Sequence, residues 1–528
     1  MIQVRLVYNK GYKWFSKDDS VWVKGYLFTP GNQLLRKEKL IDYFSDVESF
    51  SDFQQKIREA NGLFSIVLRK ENQLWAVIDH ARSFPLFYHQ QKNDFFLTDN
   101  PDELAKENIP MVLDEESAVL VRYSGFVTGN KTLLKDVFQL IAGQSLCYED
   151  NQIKTQFHTE FLTNTFSTQT REELKAELKT VLDHVGQRMV EVLAGRPVAI
   201  PLSGGYDSRL MAYLLRKNNY PNVLCYTFGK NNNIELNNAR RTAERLHYPF
   251  LTINYEKYKD KKLNQDLLFQ EYVDFASNYS CTFSEQDYYA LCELIEEQKI
   301  SSDTVFIPGH SGAIVGDLLS EKMRNADFQF VDYVLDHVFS YVYPRRNELK
   351  IIQKELIFDQ NKNYPPYLLY ENWRFQETTA KFGFHASKIW DFFGFEYLHP
   401  LADRALFDFF VHAPFSYKYD KNLYKETLSE LFEEYDISFA NEELYPSQAL
   451  VNKVAFRAKL KKAFPFLKRL INFQKNDIIG TQYYIQGFID DLKQAHQYRK
   501  ILASNGIFSE WYLLRISHII QKFNEKTS

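Results

Sequence analysis

The residues best suited to chemistry lie in VAIPLSGGYDSRLMAYLL, positions 198–215. An apolar run leads into Ser203, Gly204, Gly205, Tyr206, Asp207 and Ser208, and a helical pattern follows. Two adjacent glycines let the backbone turn sharply and present its N–H groups. Ser203 and Ser208 add hydroxyls, and the helix brings the positive end of its dipole, so the natural ligand is an anion such as phosphate. Asp207 would repel phosphate unless a divalent cation stood between them, which points to Mg²⁺ carried with a nucleotide. The lysine of a GxxxxGK[ST] loop is missing and the serines flank the glycines, so this is not the loop of kinases and GTPases. Without a ligand, the same residues would make a strand-to-helix turn with a serine cap.

The surrounding pattern supplies the elements such a loop needs. PVAIPL, NVLCYTF and FLTINY read as strands, separated by helices over about 208–217 and 235–246. Strands alternating with helices predict a parallel α/β sheet covered on both faces. Ahead of it, REELKAELKTVLDHVGQRMVEVL places Leu174, Leu178, Val181, Leu182, Val185 and Met189 at helical spacing. Residues 1 to about 160 read instead as short strands, among them VWVKGYLF, GLFSIVLRK, QLWAVID, PLFYH and DFFLTD, an antiparallel β-rich unit with few helices. A boundary is expected between 160 and 172. Beyond Glu256 the chain reads as mainly helical, interrupted by the strand TVFIPG (304–309).

Composition narrows the functional classes. The 528 residues carry 64 basic and 68 acidic side chains, a net charge of −4, which excludes a bulk polycation. With 45% hydrophobic residues there is ample material for cores, and global disorder is excluded. Cys147, Cys225, Cys281 and Cys292 are widely spaced, with neither a CxxC pair nor a histidine at zinc-ligand spacing. A reducing compartment fits this usage, and neither a signal-peptide core nor a long apolar span is present, so the expected location is the cytoplasm.

SGGYDS resembles the SGGxDS signature of the N-type ATP pyrophosphatases, enzymes that adenylate a carbonyl or carboxylate and release pyrophosphate. The whole pattern is most similar to the asparagine synthetase family. GLFSIVL (62–68), DHARSFPLFYH (79–89) and FFLTDNPDEL (95–104) resemble the strand and turn succession of its class II glutaminase domain. CYTFG (225–229), PGHSG (308–312), PLADRALFDFF (400–410) and KNLYK (421–425) resemble successive segments of its synthetase domain. The resemblance implies an α+β, Ntn-hydrolase-like β-rich sandwich over residues 1–165, then a Rossmann-like α/β ATP pyrophosphatase domain with a helical C-terminal part over 172–528. It implies ATP and Mg²⁺ as cofactors, a nucleotide cradle of Leu202, Ser203, Gly204, Gly205, Asp207, Ser208 and Gly309, and catalytic roles for Asp207, His310 and Lys421.

Three departures qualify that picture. The family's glutaminase uses an N-terminal cysteine, whereas this sequence begins Met1-Ile2, so glutamine hydrolysis by that route is not expected. Ala313 stands where the family has an acidic contact for Mg²⁺; either Asp317, one helical turn on, replaces it, or turnover is weakened or lost. His310 occupies the place of a glutamate near the acceptor, and it reads either as a changed acceptor or base or as a hydrogen-bonding loop residue. Lys421 reads as a stabiliser of charge on the adenylate, although Lys418 and Lys425 beside it also suit a solvated basic face. Arg209 reads equally as a phosphate contact or as packing.

The expected activity is an AMP- and pyrophosphate-forming amide ligase that joins a small carboxylate to ammonia or an amine, with a homodimer as a candidate assembly. The alternatives are a non-catalytic ATP- or metabolite-binding scaffold and, less favoured, a tRNA-modifying pyrophosphatase. No nucleic-acid partner is expected. Residues 453–475 carry Lys453, Arg457, Lys459, Lys461, Lys462, Lys468, Arg469 and Lys475 among apolar residues without an acidic one. That stretch could lie on an anionic membrane surface or polyanion, or pack as a solvated helical face.

Overall fold

A computed structural model describes the chain except for residues 108, 232–233, 311, 317, 326, 343–344, 357–362, 440–479, 498–502 and 528. The first part is built from β1 (Ile2–Arg5), β2 (Trp14–Lys17), β3 (Val21–Phe28), β4 (Leu34–Arg36), β5 (Asn61–Lys70), β6 (Gln73–Ile78), β7 (Phe87–Gln91), β8 (Asp94–Thr98), β9 (Val137–Gln139), β10 (Gln144–Glu149) and β11 (Gln152–Phe157). They form a sheet of order β11-β10-β6-β5-β3-β2, with β4 paired to β3, and a second sheet of order β1-β8-β7-β9. Leu74, Ala76 and Ile78 of the first sheet and Leu86, Tyr88, Phe95 and Leu97 along the second share one core, which makes the pair a sandwich. The antiparallel expectation needs one correction, because β1 runs parallel to β8. Residues 1 and 95 are too far apart in sequence for a hairpin to set their direction.

A helix at Arg171–Leu193 then opens the second part, as its spacing predicts. It starts on a capping box: the Thr170 side chain accepts from the Glu173 backbone N–H, and the Glu173 carboxylate accepts from that of Thr170. The second part holds β12 (Val198–Pro201), β13 (Val223–Gly229), β14 (Phe250–Asn254), β15 (Val305–Phe306) and β16 (Glu396–Tyr397), an all-parallel sheet of order β14-β13-β12-β15-β16. The overall class is therefore α+β, with one parallel sheet. β12 is buried almost throughout, as a central parallel strand must be.

That order places a topological switch between β12 and β15. The chain first winds outward from β12 through β13 to β14, then returns to build β15 on the other side. Loops leaving the carboxyl ends of β12 and β15 part there and open a crevice, the place where open α/β sheets bind ligands. SGGYDS leaves one of these strands and PGH the other.

The two parts are stitched by buried polar contacts. His80 Nε2 lies 2.6 Å from the Ala402 carbonyl, Tyr12 donates to the Tyr397 carbonyl at 2.8 Å, and Arg82 donates to the Ser280 hydroxyl at 3.2 Å. A single apolar cluster runs from Tyr12 to Ile520 across both. Among the described residues, no helix is long and apolar enough to cross a membrane. The basic stretch 453–475 lies outside the described residues.

Candidate functional site

The loop after β12 folds on its own hydroxyls. Ser208 Oγ accepts from the Ser203 backbone N–H at 3.0 Å and lies 2.9 Å from Ser203 Oγ, which in turn accepts from Gly205 N–H at 3.2 Å. The serines thus shape the loop from within. Gly205 caps the helix Tyr206–Lys217 without a side chain, so among the described residues no capping side chain occupies its first N–H groups. A Cβ on Gly204 would lie 3.0 Å from Glu235 Cα, where the helix Ile234–Arg245 begins.

The PGH loop closes in from the other strand. A Cβ on Gly309 would overlap the backbone nitrogen of Ser208 and lie 2.6 Å from its Cα and 2.8 Å from the carbonyl carbon of Asp207. Only glycine permits this approach of loop to helix N-terminus. Gly309→Ala should therefore cost about 1–3 kcal/mol through forced separation of the two loops, checked by denaturant unfolding. Unchanged stability would disprove the contact.

Asp207 is held from the far side. Tyr424 donates its hydroxyl to Oδ1 at 2.9 Å, and Lys421 Nζ lies 3.6 Å from Oδ2. Both come from the segment around the helix Asn422–Glu433. Asp420 and Lys421 lie consecutively in the left-handed region, at φ 54° and 58°, a conformation that costs non-glycine residues roughly 1–2 kcal/mol each. That turn carries Lys421 to Asp207. The neighbouring lysines part company: Lys418 is fully buried on Glu371 at 2.6 Å, and Lys425 pairs with Asp420 at 3.2 Å. The solvated-face reading fails for Lys418.

Arg209 is packing rather than a phosphate contact. Its guanidinium donates to the carbonyls of Gly204 at 2.8 Å and Ile437 at 2.7 Å, under the rings of Tyr206, Phe432 and Phe439. It holds the loop from behind.

These elements enclose a cavity of about 300 Å³ lined by Leu202, Ser203, Gly205, Asp207, Ser208, Gly309 and His310, together with Tyr226, Glu235, Asp287 and Trp390 among others. His310 lies beside His399, ring centroids 6.0 Å apart, and burial pushes its imidazole down to about 4 despite the Asp207 charge. It is neutral at pH 7, and among the described residues its Nδ1 has no hydrogen-bond partner. Burial also raises the Glu235 carboxyl and pushes Asp287 up to about 7. Leu202, Ser203, Gly205, Asp207, Ser208, Gly309 and His310 are thus brought to one cavity, Lys421 reaches it through Asp207, and Gly204 turns against Glu235. Asp317 lies outside the described residues, as does the side chain of Ala313. Tyr424 and Asp287 were missed; a tyrosine three residues after Lys421 was the available signal for the first.

Mg²⁺ beside nucleotides takes one or two carboxylates and completes its shell with phosphate oxygens and water. Asp207 offers one carboxylate of that kind, and among the described residues no group of three acidic, histidine or cysteine side chains forms a protein-only cage. The donor set fits a nucleotide-borne ion. Burial pushes the thiols of Cys225 and Cys292 up to about 12 and that of Cys281 to about 11, which makes them inert rather than nucleophilic.

No family model matches the chain, and no curated protein does. Among solved structures, the NH3-dependent NAD synthetase from Campylobacter jejuni is 16% identical, covering 37% of this chain and 76% of its own, with a TM-score of 0.19. The NAD+ synthetase from Burkholderia pseudomallei is 14% identical over 52% of this chain and 96% of its own, TM-score 0.19. The glutamine phosphoribosylpyrophosphate amidotransferase from B. subtilis is 8% identical over 67% and 76%, TM-score 0.18.

Proposed function

We propose that the protein is an ATP-dependent carbon–nitrogen ligase of the asparagine synthetase-like kind, forming AMP and pyrophosphate and drawing its nitrogen from ammonia or an amine rather than from its own glutaminase. The observation that carries this reading is the placement of SGGYDS at the switch point of the parallel sheet, with Asp207 held by Tyr424 and Lys421.

In this reading the free N–H groups at the start of Tyr206–Lys217 receive phosphate oxygens. Mg²⁺ held by Asp207 would neutralise phosphate charge. A carboxylate oxygen of the substrate attacks the α-phosphorus, and the bond to the pyrophosphate oxygen breaks with its electron pair leaving on pyrophosphate. The amine nitrogen then attacks the acyl carbon, the C–O bond to AMP breaks, and AMP leaves with that pair while the nitrogen sheds its protons. The chain's contribution is positioning and fixed charge. Lys421, tethered by its left-handed turn, stabilises the charge that develops on the adenylate.

The test is pyrophosphate release from ATP and Mg²⁺ across a pool of carboxylic acids with ammonium present. Release that depends on one acid supports the ligase; ATP binding with no release across the pool supports the scaffold, the reading that Ala313 favours. Lys421→Met should lower turnover by about 10²-fold while leaving ATP affinity within threefold, a split measured by comparing kcat with equilibrium binding.

A further inference from the structure

The Asp207 carboxylate is met by two donors that arrive on one short stretch of chain. Tyr424 donates its hydroxyl to Oδ1 at 2.9 Å, and Lys421 Nζ stands 3.6 Å from Oδ2. Lys421 is the residue from which the helix Asn422–Glu433 starts, and Tyr424 lies in its first turn. The same backbone therefore delivers a neutral donor to one carboxylate oxygen and a cation toward the other. The difference in kind has a consequence for charge. A phenol O–H orients a carboxylate without cancelling it, whereas a lysine or arginine at position 424 would put two cations on one carboxylate and repel a further cation brought with a nucleotide.

The spacing carries the second half of the inference. At 3.6 Å the ammonium is within ion-pair range of Oδ2 but beyond hydrogen-bond length. Opposite charges so placed attract, and a lysine side chain has the rotamers to close the gap. Tyr424 opposes that closure. Its side chain is fully buried and its ring packs edge-on against Phe410, centroids 6.2 Å apart, so the hydroxyl is a fixed point. A carboxylate tied to it through Oδ1 cannot swing onto Lys421 without breaking the 2.9 Å bond.

We propose that Tyr424 is a positioning residue that reserves Asp207 for the cation carried with the nucleotide, holding Oδ1 by a neutral donor and so keeping the carboxylate out of a closed bond with Lys421. This rests on the ligase reading only for the assignment of Asp207 to that cation, and not on the reaction that follows. The hydroxyl thereby keeps two opposite charges adjacent yet separately usable, the carboxylate by the cation and the ammonium by the adenylate. Removing the hydroxyl alone lets the two side chains cancel each other. Removing the ammonium as well leaves Asp207 nothing to close upon, so the effect of the first change depends on the presence of Lys421.

The experiment is calorimetric titration of the full chain with ATP, once with Mg²⁺ and once in EDTA, for wild type, Tyr424→Phe, Lys421→Met and the double variant, with a thermal melt of each. Wild type should bind Mg·ATP about tenfold or more tightly than metal-free ATP, and in Tyr424→Phe that ratio should fall to about one, the effect of a lost hydrogen bond to a charged group. Lys421→Met should keep the wild-type ratio, and adding Tyr424→Phe to it should change the ratio by less than about threefold. A hydroxyl with a merely structural role would lower the melt and both affinities together and leave the ratio intact. That result, or a ratio that falls equally with and without Lys421, overturns the proposal and leaves the ligase reading standing. Equal affinity for ATP with and without Mg²⁺ in wild type overturns the proposal together with the assignment of Asp207 to the cation.

Discussion

On the ligase reading proposed above, Asp207→Asn should lower acid-dependent pyrophosphate release by about 10³-fold or more, a barrier change of about 4 kcal/mol, while the fold survives. The substitution keeps size and shape, and Tyr424, which donates to Oδ1 at 2.9 Å, can donate equally to an amide oxygen. What disappears is the one negative charge in the loop. Without it the SGGYDS loop has no carboxylate with which to hold a cation against phosphates, and Lys421 loses its counter-charge 3.6 Å away. Steady-state pyrophosphate release and a thermal melt, measured on the same preparation, check both halves. More than a tenth of wild-type release in a correctly folded variant would remove Asp207 from the mechanism.

Lys418→Met costs about 3–5 kcal/mol of stability, because it strands the Glu371 carboxylate in the interior. Both side chains are essentially inaccessible and meet at 2.6 Å. Burial lowers the lysine's proton affinity, and Glu371 opposes that shift. The ammonium also lies 4.8 Å from the Phe161 ring, so the segment is bound to the first part of the chain. Replacing both partners, Lys418→Met with Glu371→Leu, should recover most of the loss, since the unpaired charge and not the missing bond is what destabilises. Denaturant unfolding of the two single variants and the double variant measures this as a cycle. If the single variant unfolds at the wild-type midpoint, the pair is not buried as described. Lys418 stands three residues before Lys421, so the single variant should also loosen the turn that carries Lys421 to Asp207.

The two expectations draw on different parts of the molecule, yet both depend on the 418–425 segment. There, sequence reasoning could see three lysines but could not sort them. One is buried on a glutamate from a distant helix, one reaches Asp207 of the SGGYDS loop through a left-handed turn, and one pairs with its neighbour Asp420. All three have the same side chain and similar local surroundings. Their fates depend on Glu371 and Asp207, residues 47 and 214 positions away respectively.

By itself, the amino-acid sequence determined the elements whose conformation is decided within a few residues. The helix Arg171–Leu193 follows from its apolar spacing and its Thr170–Glu173 capping box, and the strand, glycine turn and helix of 198–217 follow from residue types that leave the backbone little choice. The tertiary structure alone decided the parallel pairing of β1 with β8, the burial of Arg209 behind the loop, the close approach that requires glycine at position 309, and the arrival of Asp287 at the cavity. The physical reason is the same in each case. Local dihedral preferences and hydrophobic periodicity act between near neighbours, whereas burial, pairing and proton affinity are set by groups that arrive from elsewhere in the chain.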